Sequence, residues 1–225
     1  MCGRFNVIDS PEVKDLCENL GVPLAKISTQ LDIAPGGKIN IIHGGASARQ
    51  ISEAIWWLLL ENRNLKPNYR YASFNSRSSK LFTKNSISYK PFRKSRCIIP
   101  CSAFIEGQGD KKTYHKIEIE SSAIAFGGIY KEYLNQITGE ITYSASIITL
   151  PPSSPEWQKI HSKSIPLIID HSNNHSVDLW LDPDLKEVSQ LDSFFVIPEA
   201  RSIKVTPIGK PSKWNSIGNS FSIFA

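Results

Sequence analysis

Cys2, directly behind Met1, is the first residue of this chain with distinctive chemistry. A small second residue generally permits removal of the initiator methionine, which would leave Cys2 with a free α-amine. Such a terminus is a 1,2-aminothiol, with two nucleophiles on adjacent carbons. An α-amine has a reference pKa near ~7.7–8.0, so part of it is neutral at physiological pH. The thiol, with a reference pKa near ~8.5, is drawn toward thiolate by cations such as the neighbouring Arg4. Toward an aldehyde, the amine forms an imine and the thiol then closes a five-membered thiazolidine. Toward an amide, the pair could serve an N-terminal-nucleophile hydrolase, with the amine as base. A cysteine that is incidental at position 2 is the third option.

The other cysteines are Cys17, Cys97 and Cys101. Four cysteines in 225 residues form no disulfide framework, and the Cys97–Cys101 spacing lacks a partner pair at zinc-site spacing. No metal or cofactor site is expected. His171 and His175 could share a helix face, but their Asp170-His171-Ser172-Asn173-Asn174 setting reads as loop and predicts solvated surface histidines.

Charge is unevenly spread. The net charge is +5, yet no Asp or Glu occurs from Asn62 to Ile105. That window holds Arg63, Lys66, Arg70, Arg77, Lys80, Lys84, Lys90, Arg93, Lys94 and Arg96, interleaved with Tyr69, Tyr71, Phe74, Phe82, Tyr89 and Phe92. Cations that track phosphates, mixed with rings that stack on bases, are the footprint of single-stranded nucleic-acid binding. A solvated basic loop with core aromatics, or a surface for other anions, is the alternative.

The elements that would position these residues are partly visible. Ser10 can cap a helix, Pro11 suits its first turn, and Val13, Leu16, Cys17 and Leu20 fall on one face before Gly21 ends it. Short apolar runs at Ile39–Ile42 and Glu53–Leu60 read as strands. Cys97–Glu106 and Tyr114–Glu120 flank a Gly107-Gln108-Gly109-Asp110 turn, and Ala123–Tyr133 and Glu140–Leu150 flank a second hairpin. Helices are predicted at Ser154–Ile160, Ser176–Leu181 and Asp184–Phe195, with a last strand near Ile203–Pro207. This is an α+β pattern with a twisted, largely antiparallel, barrel-like β core and peripheral helices. One domain over residues 1–225 is expected, with its core at about 2–208 and an irregular tail at 209–225.

Five segments in order carry a resemblance. They are Met1-Cys2-Gly3-Arg4-Phe5; Asp32-Ile33-Ala34-Pro35-Gly36; Phe74-Asn75-Ser76-Arg77; Arg96-Cys97-Ile98-Ile99-Pro100 leading to Ala103-Phe104-Ile105-Glu106; and Ile147-Ile148-Thr149-Leu150 before Ile160-His161-Ser162-Lys163-Ser164-Ile165-Pro166. Together they resemble the SRAP (SOS-response-associated peptidase) family, whose members crosslink to abasic sites in single-stranded DNA. The resemblance runs from Cys2 to about Pro207.

It implies that Cys2 is the nucleophile and that Asn75 holds nucleophile and sugar in place. Arg77 and Arg4 would contact backbone phosphate, with Lys163 also on the DNA side; aromatics such as Trp56, Tyr71 or Phe74 could stack on or wedge beside bases. Glu106 and His161 would complete the catalytic set, and self-removal of Met1 would be a one-off autopeptidase step beside the lyase-like crosslinking. Residue chemistry is compatible: Glu106 is the first acid after the cationic window and could shuttle protons, or simply pair with an arginine. His161 titrates near neutrality and could help open the sugar, or pack beneath the preceding helix. Asn75 could position an amine, or be an ordinary turn residue. Departures from the family pattern are Ser76 for Ala, Ser79 for Glu, Gly107 for Trp, Trp57 for Gly and Lys163 for Arg. Lysine lacks the planar fork that grips phosphate bidentately, so these departures bear on DNA grip more than on chemistry.

The composition, 40% hydrophobic and 21% charged, is that of an ordinary globular protein. The longest apolar run stops at Glu61, too short for a bilayer, and the first residues lack a signal peptide's apolar stretch. A cytoplasmic monomer, nucleoid-associated when on DNA, is the expectation. Two rivals to covalent trapping remain: an N-terminal-nucleophile amidohydrolase, and a non-covalent single-stranded DNA-binding protein.

Overall fold

The computed structural model describes residues 2–45, 49–136, 138–152, 154–196 and 202–224. In chain order the elements are β1 (Arg4–Val7), α1 (Pro11–Asn19), a 3-10 turn (Leu24–Lys26), β2 (Gln30–Ile33), β3 (Lys38–His43), β4 (Gln50–Ile55) and β5 (Asn75–Arg77). Then come α2 (Ser78–Leu81), α3 (Tyr89–Lys94), β6 (Arg96–Cys101), β7 (Ala103–Gly107), β8 (Tyr114–Ile119), β9 (Ile124–Leu134) and β10 (Ile141–Leu150). The chain ends with α4 (Pro155–Ile160), β11 (Ile165–Pro166), β12 (Ile168–Ile169), α5 (Asn174–Leu181), a 3-10 helix (Val188–Phe195), β13 (Ser202–Ile208) and β14 (Phe221–Phe224).

Five strands close a ring in the order β10–β4–β3–β6–β9 and back to β10. All its pairings are antiparallel except β4 with β10, where Ala54 lies opposite Tyr143 and Ile55 opposite Ser144. Farther along the same edge of β10, β5 takes over in parallel, with Asn75 opposite Ile147. The second sheet runs β14–β13–β8–β7–β1–β2. It carries Arg4 and Glu106 on neighbouring strands, because Arg4 lies opposite Ile105.

Between barrel and sheet sits an aromatic core. Phe5 meets Trp56 edge-on at 4.8 Å and Phe126 at 5.8 Å, and Phe104 meets Phe126 at 5.4 Å. Such pairs add about 0.5–1.5 kcal/mol each beyond area burial. Peripheral helices cover the outside, so the α+β, largely antiparallel, barrel-like architecture expected from sequence is the one adopted.

Local signals explain individual elements. Ser10 Oγ accepts from Val13 N, Pro11 opens α1, and Gly21 takes φ +61° just beyond it. The face of Val13, Leu16 and Cys17 is buried. Three expectations are corrected. The tail is not irregular throughout: after loops and turns at 209–220, β14 pairs with β13 along Ser202–Val205. His171 is buried rather than solvated, held between Asn19 Nδ2 and Ser122 Oγ at 3.1 Å each, whereas His175 is exposed. The Asp184–Phe195 helix starts later and is 3-10.

Candidate active site

Four elements bring Cys2, Asn75, Glu106 and His161 to one place. Cys2 lies two residues before β1 and is fully buried. Asn75 opens β5 and donates from Nδ2 to the Cys2 carbonyl at 2.7 Å. Its position is fixed one residue earlier, where the Phe74 carbonyl accepts from both Trp56 Nε1 at 2.9 Å and Ile147 N at 3.0 Å. Glu106 lies in β7, two strand positions from core Phe104, and is 2% exposed. His161 follows α4, which Ser154 caps by accepting from Trp157 N. Trp157 then pins the turn, its carbonyl accepting from His161 N and its Nε1 donating to Ser164 O, both at 2.9 Å.

His161 Nδ1 lies 2.6 Å from the Gly107 carbonyl and 3.5 Å from Glu106 Oε2. A carbonyl can only accept, so Nδ1 carries the proton and neutral His161 presents Nε2 as a base. Burial lowers the His161 pKa, against the Gly107 hydrogen bond that raises it, while nearby Lys163 lowers it further. Burial also pushes the Glu106 carboxyl up from 4.5 to about 7, and the Cys2 thiol well above its ordinary value, with the Glu106 charge adding to the latter. Cys2 therefore rests as a thiol beside a carboxyl poised to exchange protons near neutrality.

A cleft of about 280 Å³ opens onto this group, lined by Gly3, Arg4, Glu106, Lys111, Tyr114 and His161 among others. That is near the lower end of small-ligand volumes. Lys111 and Tyr114 escaped the sequence argument. The signal for them was the Gly107–Asp110 turn, which leads straight from Glu106 back over the cleft. Gly107 itself is required by close approach, since a Cβ there would lie 2.9 Å from Tyr114 Cδ1. The tryptophan that the family pattern places there has no room. A larger cavity, about 490 Å³, is lined by Glu12, Glu118 and Glu120 and by none of Cys2, Asn75, Glu106 and His161.

The expected DNA-side residues divide. Arg77 and Lys163 are exposed. Arg4 lines the cleft and is paired with Asp32. Trp56 is fully buried against Phe5 and Phe74, with no face open to a base, so its expected place on DNA is corrected to a place in the core. Tyr69, Tyr71 and Phe82, 72%, 60% and 48% exposed, are the rings of that region open to solvent. Of the cationic window, Arg96 is structural: buried, it donates to the carbonyls of Phe92, Trp180 and Asp182, and burial lowers its pKa to about 10. Among the described residues no helix is long and apolar enough to cross a membrane.

Comparison with known proteins gives the fold and the family. Solved structures share the fold: a protein from Bordetella bronchiseptica at TM-score 0.69 and 16% identity, covering 92% of this chain and 99% of that one. A protein from Bacteroides thetaiotaomicron matches at TM-score 0.65 and 19% identity, covering 91% and 92%. The abasic site processing protein YobE of Bacillus subtilis is 28% identical over 204 residues, 87% of this chain and 89% of that protein. The model of the family described as SOS response associated peptidase (SRAP) matches residues 1–211, and this chain belongs to that family.

Proposed function

We propose that this protein recognises abasic sites in single-stranded DNA and traps them covalently through Cys2 once Met1 is removed, shielding the lesion. The observation that carries the reading is the meeting of Cys2, Asn75, Glu106 and His161 beside a cleft lined by cations. The abasic-site processing named for the Bacillus relative supplies the substrate class. An abasic nucleotide has no base to unstack, so it turns inward at little cost.

In this reading, Nε2 of His161 takes the proton from the anomeric hydroxyl and returns it to the ring oxygen as the C1′–O4′ bond breaks, opening the sugar to its aldehyde. The Cys2 amine adds to the aldehyde carbon, and a proton from Glu106 lets the hydroxyl leave as water, giving the imine. The thiol sulfur then adds to the imine carbon while its proton passes to nitrogen, closing the thiazolidine with net loss of one water. Asn75 holds the Cys2 carbonyl and so fixes the direction of both nucleophiles. Arg4, Arg77 and Lys163 meet backbone phosphates. The same thiol and carboxyl serve the one-off release of Met1.

Intact-protein mass after mixing with a single-stranded oligonucleotide bearing one abasic site tests this. The expected species lacks Met1 and gains the oligonucleotide mass less one water. Protein lacking Met1 that forms no adduct, or an adduct that survives Cys2→Ser, overturns the reading.

A further inference from the structure

Arg4 is the arginine of the cleft, beside Glu106 and His161, and it is already engaged. Its guanidinium Nη1 pairs with Asp32 Oδ2, the two side chains 27% and 35% exposed. Asp32 sits on β2, the edge strand against β1, next to Ile33, which lies opposite Phe5. The other carboxylate oxygen is also held: Trp214 Nε1 donates to Asp32 Oδ1 at 3.2 Å. Trp214 reaches it from the segment after β13, at φ +53°, a left-handed conformation uncommon for a bulky side chain. The same segment places Pro211 in the wall of the cleft. One oxygen of the carboxylate thus holds the arginine, while the other is held by an indole from the far end of the chain.

We propose that Asp32, braced by Trp214, is a positioning residue that sets DNA affinity by occupying the Arg4 guanidinium, so that a backbone phosphate must displace a carboxylate to enter. This rests on the single-stranded DNA reading above. Exchange of one anion for another around Arg4 leaves the local charge count unchanged, because the deserted Asp32 recruits a cation from solution. The native protein therefore gains no counterion release from Arg4, and its binding is weaker and less salt-dependent than its cations alone predict. Held by Asp32, the guanidinium is also kept in the cleft wall, aligned for a phosphate next to the reacting sugar.

Asp32→Asn keeps the shape and an acceptor for Trp214 while removing the charge. Equilibrium binding to an unmodified single-stranded oligonucleotide, on which no covalent step occurs, is measured across salt for the native protein, Asp32→Asn, Arg4→Ala and the double variant. Asp32→Asn is expected to bind about fivefold tighter, the upper end for a partly exposed pair. Its slope of log affinity against log salt steepens by about 0.7, one more phosphate neutralised on a single strand. Arg4→Ala costs more in the Asp32→Asn background than in the native one, by the same factor. A carboxylate acting only as distant negative charge makes the Arg4→Ala cost equal in both backgrounds, and that result, or unchanged affinity in Asp32→Asn, overturns the inference. Adduct formation with an abasic oligonucleotide, scored in parallel, then still stands. Absence of binding in all four proteins overturns the inference and the functional reading together.

Discussion

Replacing Glu106 by glutamine tests whether burial, and not some other constraint, sets the chemistry of the site. The carboxyl is 2% exposed, and burial moves its pKa from 4.5 to about 7. In the unfolded chain it ionises at its ordinary value. Between those two pH values the folded protein retains a proton that the unfolded chain releases, so stability present below pH 4.5 is lost as pH rises through about 7. At 1.36 kcal/mol per pH unit, the span amounts to about 3 kcal/mol. Glutamine has the same shape and carries no charge, so Glu106→Gln escapes this loss. His43, His115 and His161, which burial holds below their ordinary pKa, are present in both proteins, and the difference between the proteins reports Glu106. Urea denaturation of DNA-free protein at pH 4.5 and pH 8 measures it. The gap in favour of Glu106→Gln should widen by about 3 kcal/mol between the two, a midpoint shift on the order of 1 M urea. The crosslinking reaction should be lost in the more stable variant. A stability gap that is the same at both pH values would refute the assignment of the raised pKa to desolvation in the fold.

Asn75→Ala removes the 2.7 Å anchor on the Cys2 carbonyl and should slow adduct formation about ten- to a hundredfold, read by quenched gel time courses, while melting temperature falls by only about 2–8 °C. Gly107→Ala forces a Cβ against Tyr114, where only 2.9 Å is available, and should cost about 1–3 kcal/mol in urea denaturation. Arg96→Ala strands the Phe92, Trp180 and Asp182 carbonyls and should cost about 3 kcal/mol or more by the same assay, whereas exposed Lys94→Ala should change stability by less than about 0.5 kcal/mol.

What could be read in the sequence was what is encoded locally. The Ser10 cap, Pro11 and Gly21 mark α1 to within a residue or two, and the Gly107–Asp110 turn marks the β7–β8 hairpin. Missing were β1, β2, β5, β11, β12 and β14, four residues or fewer, whose existence depends on a partner strand elsewhere in the sequence. Phe221–Phe224, for instance, is strand only because β13 is there to receive it. The catalytic candidates were legible through ordered motifs, since nothing local says that Asn75 will meet the Cys2 carbonyl. Trp56 went astray because an aromatic near basic residues has no mark for inside or outside. Its indole proton, spent on the Phe74 carbonyl, decides the matter. Asp32 gave no sign of holding Arg4, because that contact spans two strands joined by a helix and a loop.

Strands β4 and β5 leave and rejoin the same edge of β10, at Ser144 and at Ile147. Their attachment points are about 10 Å apart at the rise of a strand, while the chain between them runs from residue 56 to residue 74. The excursion is therefore a module with tethered feet. Lengthening it costs little, since closure entropy grows only with the logarithm of loop length. Asn75 keeps its address beneath Cys2 whatever residues 59–72 do, because its rung on β10 and the Trp56–Phe74 bond that fixes it lie outside that stretch. Surface reach, carried here by Tyr69 and Tyr71, can thus be rewritten without disturbing the reacting residues, and exchanging residues 59–72 between relatives is the natural way to transplant substrate preference.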